Sequence, residues 1–294
     1  MDWVITAVGV ALVLVVVRDV FHTLFHPIGH GSIAPQVMRG TWRLLRLFPK
    51  DRRITSLTGP LGIVAVIGTW AAGAVLGWAL IYLAQMPGGV VYGSELDGIP
   101  RNEFFDSLYL SLVTIATLGF GEIVPVSPWL RLAAPLEALF GFLLVTAAVS
   151  WVLQIYPALH RRRVLALELT TLREARSADP RLGVDDIPTD VLTALTASVA
   201  ETRNDFTQYG ATYYFRDMEA DSSLAASLEY AIDLGAEASR SERPETRVAA
   251  AMLTAAVDRL AKLLDEEFLH LGGDTAAIIN AYADDHGHGP GSAD

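Results

Sequence analysis

A run of apolar residues without a single charge extends over residues 61–84. A helix needs about 20 such residues to cross the roughly 30 Å hydrocarbon core of a bilayer. This run therefore predicts a transmembrane helix and excludes an ordinary soluble fold. Within it, Gly73 and Gly77 would let a second helix approach closely, although such pairs are also frequent by chance in glycine-rich spans.

Two further spans are expected. Residues 3–17 are uncharged but cover only about 22 Å as a helix, so the first span reaches membrane length only by continuing through Arg18 and Asp19 to Phe25. This run lacks the basic start and the small-residue cleavage site of a signal peptide. The third span extends over residues 129–158.

Charge divides the chain into two parts. Of its 33 acidic and 22 basic residues, 22 and 8 respectively lie between positions 177 and 294. That segment has a net charge of −14 and the first 176 residues one of +3, so the pattern indicates a membrane part and an acidic soluble part. No cysteine is present, which excludes disulfides, thiolate metal sites and cysteine catalysis.

Basic residues indicate how the spans are oriented, because cytoplasmic flanks are enriched in Arg and Lys. Residues 36–53 contain six basic side chains, and three consecutive Arg residues, 161–163, follow the third span. Between the second and third spans Arg101 is the single basic residue, against several acidic ones. We therefore expect a multi-pass protein of the cell membrane with its N-terminus outside and its C-terminus in the cytoplasm.

The uncharged run 107–121 is too short to cross the membrane and return as two helices, so it predicts a re-entrant segment. Gly119 and Gly121 alternate with Leu118 and Phe120, and glycine reaches conformations of positive φ that other residues avoid. This alternation permits successive carbonyl oxygens to point the same way and to replace the water around a cation. One chain supplies a single line of carbonyls, so the pattern predicts a ring of subunits around the ion.

A short helix is expected just before these glycines, over residues 104–116. Asn102 or Asp106 would start it, and the negative end of its dipole, directed toward the membrane centre, would favour a cation. The Thr117 hydroxyl would lie at the inner end of the line of carbonyls. Pro125 prevents the chain beyond from continuing as a helix.

Residues 117–122, TLGFGE, resemble the TVGYGD signature of the potassium-channel superfamily. The resemblance extends over roughly residues 60–160, as outer span, pore helix, filter and inner helix. It implies a homotetramer whose filter coordinates K⁺ without covalent chemistry and without a cofactor. The implied ligands are the carbonyl oxygens of Thr117, Leu118, Gly119 and Phe120 and the Thr117 hydroxyl, while Gly121 and Glu122 shape the outer mouth.

Two residues depart from the signature of that superfamily. Glu122 stands where Asp usually braces the outer filter, and Val113 stands where some bacterial channels have a Glu on the pore helix. The second departure puts filter-based inactivation of that kind in doubt. Both leave open a cation channel with poor potassium selectivity.

Glu137 and Gly141 resemble the E-x-x-x-G of bacterial inward-rectifier-like channels, in which the glycine can act as a bend. Glu137 is expected to bond behind the filter or to Arg131, with direct ion contact as the alternative. Residues 36–48 are amphipathic and resemble the interfacial helix that precedes the outer span in those channels. The extra first span, and the absence of that family's cytoplasmic β-sandwich, do not fit.

Each of the other side-chain clusters allows two interpretations. His22, His26 and His30 could bind a metal or respond to pH, but Pro27 and Gly29 should break the helix, which favours interfacial histidines. The acidic runs 265–267 and 284–286 could bind divalent ions or form solvated surface. The aromatic residues Tyr209, Tyr213, Tyr214 and Phe215 could form a ligand cage, although a core cluster is the simpler interpretation.

The segment after the third span predicts helices throughout. The third span itself is expected to continue to about Ser177, with Asp186, Asp221 and Asp274 as plausible starts of later helices. The predicted helices cover residues 188–204, 222–239, 245–270 and 275–284. No nucleotide fingerprint, EF-hand loop or catalytic triad pattern is present, so we expect no enzyme, and the negative charge disfavours nucleic acid as a partner.

The predicted fold is an all-α membrane protein. Its expected parts are an N-terminal transmembrane helix and turn (1–35), an amphipathic interfacial helix (36–58), a pore domain (59–160), an acidic helical cytoplasmic domain (161–285) and a disordered tail (286–294). We expect a homotetrameric potassium-selective channel in membrane lipid, gated around residues 149–155 by the acidic domain through residues 161–163. The alternatives are a weakly selective cation channel and a non-conducting membrane-anchored sensor.

Overall fold

The structure is a computed structural model, and it describes residues 2–24, 31–47, 57–96, 98 and 100–289. The membrane part contains helices α1 (Asp2–Leu24), α2 (Ile33–Leu45), α3 (Thr58–Leu83) and α4 (Glu103–Ile115), strands β1 (Val90–Tyr92) and β2 (Ile123–Pro125), and the start of the long helix α5 (Leu130–Ala178). Helices α6 (Thr189–Gln208), α7 (Leu224–Ala238), α8 (Pro244–Leu264) and α9 (Thr275–His286) follow.

Three described helices, α1, α3 and α5, are long and apolar enough to cross a membrane. The two described strands form one short antiparallel pair, in which Val91 lies opposite Val124. The fold is therefore that of an all-α membrane protein, as predicted. As expected, α1 continues through Arg18 and Asp19, and α5 runs without a break from the third span to Ala178.

Contacts divide the chain into two units, residues 1–41 with 61–153 and residues 42–60 with 154–294. In the first unit, α1 packs closely on α3 through glycines. A Cβ atom on Gly77 would lie 2.7 Å from a Val13 methyl carbon, and one on Gly73 would lie 2.9 Å from a methyl carbon of Val16. The glycine pair on α3 thus allows a second helix to approach, as its spacing predicted.

Asp19 determines where α2 begins. Its buried carboxylate accepts hydrogen bonds from the Ile33 and Ala34 amides at 2.7 and 3.2 Å and from the Trp70 indole at 2.8 Å. The carboxylate thereby satisfies amides of the first turn of α2, which have no partner inside the helix. Accordingly α2 begins three residues earlier than predicted, and it ends at Leu45. Residues 48–56 of the predicted interfacial segment lie outside the described part of the chain.

The second unit has a helical core. The buried apolar residues recur at helical spacing on each element, as Leu192, Leu195 and Val199 on α6 and Leu253, Val257 and Leu260 on α8. The four predicted helices all form, with ends displaced by up to six residues. The largest difference is that α8 ends at Leu264 and continues as the π-helical turn Asp265–Leu269.

Three sequence predictions for this unit are wrong. Asp186 and Asp221 lie in short 3₁₀ turns and do not cap the following helices, whereas Asp274 does cap α9 by accepting from the Ala277 amide at 2.8 Å. His286, assigned to a disordered tail, is the last residue of α9 and is buried. It is retained there because its ring packs against Trp42, Tyr213 and Tyr282. Residues 290–294 lie outside the described part.

Candidate ion-conduction site

The pore helix α4 begins at a local cap and buries a stripe of small and apolar side chains. The Asn102 side-chain oxygen accepts hydrogen bonds from the Phe104 and Phe105 amides at 3.1 and 3.3 Å, which selects Asn102 over Asp106 as the start. Asp106 instead accepts from the Tyr92 hydroxyl at 3.2 Å. The buried residues of α4 are Ser107, Leu110, Ser111 and Val113.

The backbone after α4 alternates in handedness. Thr117, Gly119 and Gly121 have positive φ values of 58°, 55° and 88°, whereas Leu118 and Phe120 between them do not. A β-branched residue such as Thr rarely adopts positive φ, and conformations of this kind are concentrated at functional sites. The alternation of backbone conformation predicted from Gly119 and Gly121 is therefore present, and it begins two residues before Gly119, at Thr117.

Hydrogen bonds show which way the first carbonyls of this loop point. The amides of Leu118 and Gly119 both donate to the Val113 carbonyl oxygen, at 2.8 and 3.2 Å. In a trans peptide the N–H and the preceding C=O point in opposite directions. The carbonyl oxygens of Thr117 and Leu118 therefore both point away from the pore helix, side by side. Two aligned carbonyl dipoles of this kind form a surface that suits a dehydrated cation.

The loop of residues 117–121, hereafter the pore loop, is open along its length within a single chain. All five residues are exposed, including the large side chains of Leu118 (57%) and Phe120 (64%). A Cβ atom built on Gly119 or Gly121 meets no atom within 4 Å. Glycine is thus needed in this chain for its positive φ and not for space.

Glu122 connects the end of the pore loop to its surroundings. Its carboxylate accepts a hydrogen bond from the Tyr109 hydroxyl on α4, and its carbonyl oxygen accepts from the Gly93 amide at 2.8 Å. Asp, which is usual at this position in the superfamily, has a shorter side chain. Here the longer Glu still braces the outer end of the loop against the pore helix, with Tyr109 as its partner.

Glu137 lies fully buried against the pore helix. Its carboxylate is 2.5 Å from the Tyr82 hydroxyl and 2.5 Å from the Ser111 hydroxyl, and Ser111 is also 3.0 Å from the Val75 carbonyl oxygen. This network joins α3, α4 and α5. Its partners are thus Tyr82 and Ser111, and the expected alternative, Arg131, is exposed. The position behind α4 agrees with a structural role and gives no support to direct ion contact.

Gly141 marks the closest approach between α5 and the end of the pore helix. A Cβ atom at this position would lie 2.2 Å from the Ile115 carbonyl oxygen and 2.8 Å from an Ile115 side-chain carbon. Helix α5 continues through Gly141 without interruption. In this structure the glycine therefore provides space for the chain just before the pore loop.

Sequence reasoning missed the partners of the site. Tyr82, Ser111 and Tyr109 belong to apolar runs in which a hydroxyl carries no positional signal. One indication of these partners was present in the sequence, because a buried carboxylate such as Glu137 requires hydrogen-bond donors nearby.

Of the three histidines singled out in the sequence, only His22 falls within the described residues. Within that described part, no group of three metal-ligating side chains could hold a metal ion.

The Arg161–Arg163 triplet forms ion pairs within the second unit. In the second unit, Arg161 forms a bidentate pair with Asp205 at 2.5 and 2.8 Å. Buried Arg162 donates to Asp217 at 2.7 Å and to two carbonyl oxygens, and Arg163 donates to the other Asp217 oxygen at 2.7 Å. The triplet thus attaches the lower part of α5 firmly to the helical domain.

The three long apolar helices, the short helix α4 and the left-handed alternation after it have the arrangement of a pore-loop domain in a membrane protein. Residues 70–156 match a protein-family model described as ion channel. Over this part of the chain the resemblance to the potassium-channel superfamily is confirmed. A match to an ion-channel model over these residues agrees with a multi-pass membrane protein.

Curated relatives are similar to parts of this chain. Two-pore potassium channel 5 of Arabidopsis thaliana is 35% identical over 83 residues, which are 26% of this chain and 20% of the plant protein. Inward rectifier potassium channel Kirbac3.1 of Paramagnetospirillum magnetotacticum is 29% identical over 97 residues, 33% of this chain and 30% of that one. An uncharacterised membrane protein of Bacillus subtilis (strain 168) is 25% identical over 151 residues, 51% and 43% of the two chains.

The chain spans less than half the length of these three relatives. Among solved structures, none is significantly similar to it.

Proposed function

We propose that this protein is a potassium-selective channel in which four copies of the pore loop surround the ion. Residues 117–120 contribute carbonyl oxygens, Thr117 also its hydroxyl, and Gly121 with Glu122 shapes the outer mouth. The observation that carries this proposal is the shared acceptor of the Leu118 and Gly119 amides, which directs two successive carbonyls away from the pore helix. Two of the relatives are named as potassium channels, which supports the choice of ion.

A tetramer supplies what one chain lacks. A single pore loop presents one line of carbonyl oxygens and leaves Leu118 and Phe120 exposed. Neighbouring copies around a symmetry axis would complete the coordination shell and cover these side chains. We place the protein in a cell membrane with its N-terminus outside, because the basic residues flank the spans on the side of the acidic domain.

Ion flux from liposomes containing the purified protein tests the proposal. We expect flux down a potassium gradient that barium blocks, and little flux down an equal sodium gradient. Gly68→Ala serves as the matched control for filter variants, because Gly68 lies on α3 with no atom within 4 Å of an added Cβ. Equal passage of sodium would instead identify a weakly selective cation channel.

Absence of flux from both the assembled wild-type protein and the variant truncated after Arg176 would contradict the proposal that the protein conducts ions.

We further propose that the helical domain gates the pore. Residues 149–155 of α5 are the expected constriction, and the Arg161–Asp205 and Arg162–Asp217 pairs would transmit movement of the domain to it. Truncation after Arg176 should change the open probability in single-channel recordings. Because truncation exposes the buried residues Leu165 and Leu169, Asp205→Asn in the full chain is the second variant.

Unchanged open probability in both variants would contradict gating by this domain while leaving the conduction proposal intact.

A further inference from the structure

A groove of about 750 Å³ lies between α6 and α8 in the acidic domain. Its lining residues recur at helical spacing on both helices, so it follows the seam between them. The lining consists of Thr196, Ala200, Arg203 and Asn204 on α6 and Met252, Ala255, Ala256, Arg259, Lys262, Leu263 and Glu266 on or just after α8. Its volume lies within the range of about 300–1,000 Å³ that is typical of small-molecule sites.

The charge of the groove is opposite to that of its surroundings. Between positions 177 and 294 there are 22 acidic and 8 basic residues, yet three of those eight bases line this groove, against the single acid Glu266. Four of the other five bases are engaged elsewhere, as Arg181, Arg216, Arg243 and Arg247 donate to carboxylates or carbonyl oxygens. The basic side chains are therefore concentrated where a concave surface exists.

Arg203 is the central residue of this groove. Its side chain is half-buried, and its Nε atom is buried without a hydrogen-bond partner. A buried donor without a partner is uncommon and is explained when a ligand supplies the acceptor. Arg259 lies exposed on the opposite wall, and Lys262 pairs loosely with Glu266 at 3.6 Å between two exposed side chains. That ion pair is too weak to remove Lys262 from the site.

The floor of the groove is apolar. Ala200, Ala255 and Ala256 have short side chains that leave the seam open, and Met252 and Leu263 supply apolar surface beside them. Thr196 and Asn204 add neutral hydrogen-bonding groups. A matching ligand carries at least two negative charges at one end and an apolar or aromatic body at the other. Arg forks bind phosphate oxygens in pairs, which favours phosphate as the charged group.

We propose that the groove between α6 and α8 binds a small organic phosphate, with Arg203, Arg259 and Lys262 holding the phosphate and Met252 and Leu263 contacting the organic body. This site belongs to the helical domain and does not depend on ion conduction. Its position on the domain that we expect to gate the pore makes such a ligand a candidate regulator.

Calorimetric titration of the full-length protein in detergent tests the proposal, with adenosine triphosphate and inorganic pyrophosphate as probes at constant ionic strength. We expect saturable binding of the nucleotide and weaker binding of pyrophosphate, which lacks the organic body. Arg259→Gln should weaken binding by about tenfold or more, because a hydrogen bond to a charged group contributes about 1.5–3 kcal/mol. Arg203→Gln should do the same.

The matched control is Arg181→Gln, since Arg181 is an exposed base of the same acidic segment that lies away from the groove. Arg259 is itself exposed, so its substitution leaves the fold intact and keeps the test decisive. Binding that survives both Arg203→Gln and Arg259→Gln, or that Arg181→Gln weakens equally, would overturn the proposal. Failure of both probes to bind would also overturn the proposal. In that case, protection of Lys262 from acylation in the assembled protein would identify a neighbouring subunit as the occupant of the groove.

Discussion

Gly119 has a left-handed backbone conformation that glycine adopts far more readily than other residues. An L-residue with a side chain pays roughly 1–2 kcal/mol to adopt this left-handed conformation, and the structure offers no steric reason beyond φ. We predict that Gly119→Ala abolishes or strongly reduces potassium flux in liposomes while assembly persists. The Gly68→Ala control should conduct normally. Normal selective flux through the Gly119→Ala variant would show that the ion does not pass this loop.

The hydrogen-bond network around Glu137 predicts a distinction between two substitutions. Gln keeps an oxygen that accepts from Tyr82 and gains an N–H group that donates to the Ser111 hydroxyl. Glu137→Gln should therefore retain most of the thermal stability of the protein in detergent. Glu137→Ala leaves both hydroxyls buried without that partner, and we expect a loss of roughly 2–4 kcal/mol. Equal loss in the two variants would show that the network requires the carboxylate itself.

At the scale of elements, the contact between α5 and the end of α4 positions the pore loop. Gly141→Ala places a methyl group 2.2 Å from the Ile115 carbonyl oxygen, a backbone atom that cannot move aside without displacing the loop. We predict impaired potassium selectivity or loss of flux, measured by the ratio of potassium to sodium flux. Gly68→Ala is again the control, since both are helical glycines. An unchanged ratio would mean that α5 can shift without affecting the pore loop.

Helix α9 predicts a pH dependence. Burial lowers the pKa of His286 to about 4 from an ordinary value of 6.5, against contacts to the Tyr213 carbonyl and Asp285 that raise it. Between these values the unfolded chain binds a proton that the folded domain does not, so acid favours unfolding. We expect stability to fall as pH decreases from 6.5 toward 4.

Thermal unfolding across this pH range measures the effect. His286→Gln should flatten the dependence, whatever its absolute stability, and His160→Gln, at an exposed position on α5, should preserve it. If stability still falls with decreasing pH in the His286→Gln variant, groups other than His286 cause the pH dependence.

At the scale of the whole molecule, the Arg triplet connects the long inner helix to the helical domain. The Arg162 and Asp217 side chains are 3% and 5% exposed, and removal of one partner from such a pair leaves a buried charge without compensation. We predict that Asp217→Asn destabilises the domain by about 3–5 kcal/mol, measured by thermal or denaturant unfolding. The matched control is Asp179→Asn, which breaks the exposed Asp179–Arg181 pair and should change stability very little. Similar effects in both variants would contradict a special role for the buried pair.

Local patterns allowed much of the fold to be predicted. Apolar length predicted three spans, the glycine pair predicted a close helix contact, and the Gly119 and Gly121 alternation predicted positive φ. Each of these predictions rests either on residues close together in the sequence or on a stretch so apolar that it is stable only inside a bilayer. The helices of the acidic domain followed from the same kind of periodicity, although the caps predicted at Asp186 and Asp221 do not form.

By itself, the sequence determined that the chain is an α-helical membrane protein with a glycine-dependent pore loop, because length, hydropathy and backbone freedom are properties of short segments. The tertiary structure decided which residues meet. It paired Asp19 with the start of α2, surrounded Glu137 with Tyr82 and Ser111, joined the Arg triplet to Asp205 and Asp217, and placed three bases in one groove. The reason is physical: a buried polar group takes its partner from whichever element packs against it, and in these pairs the partner lies 14 to 55 residues away in the chain.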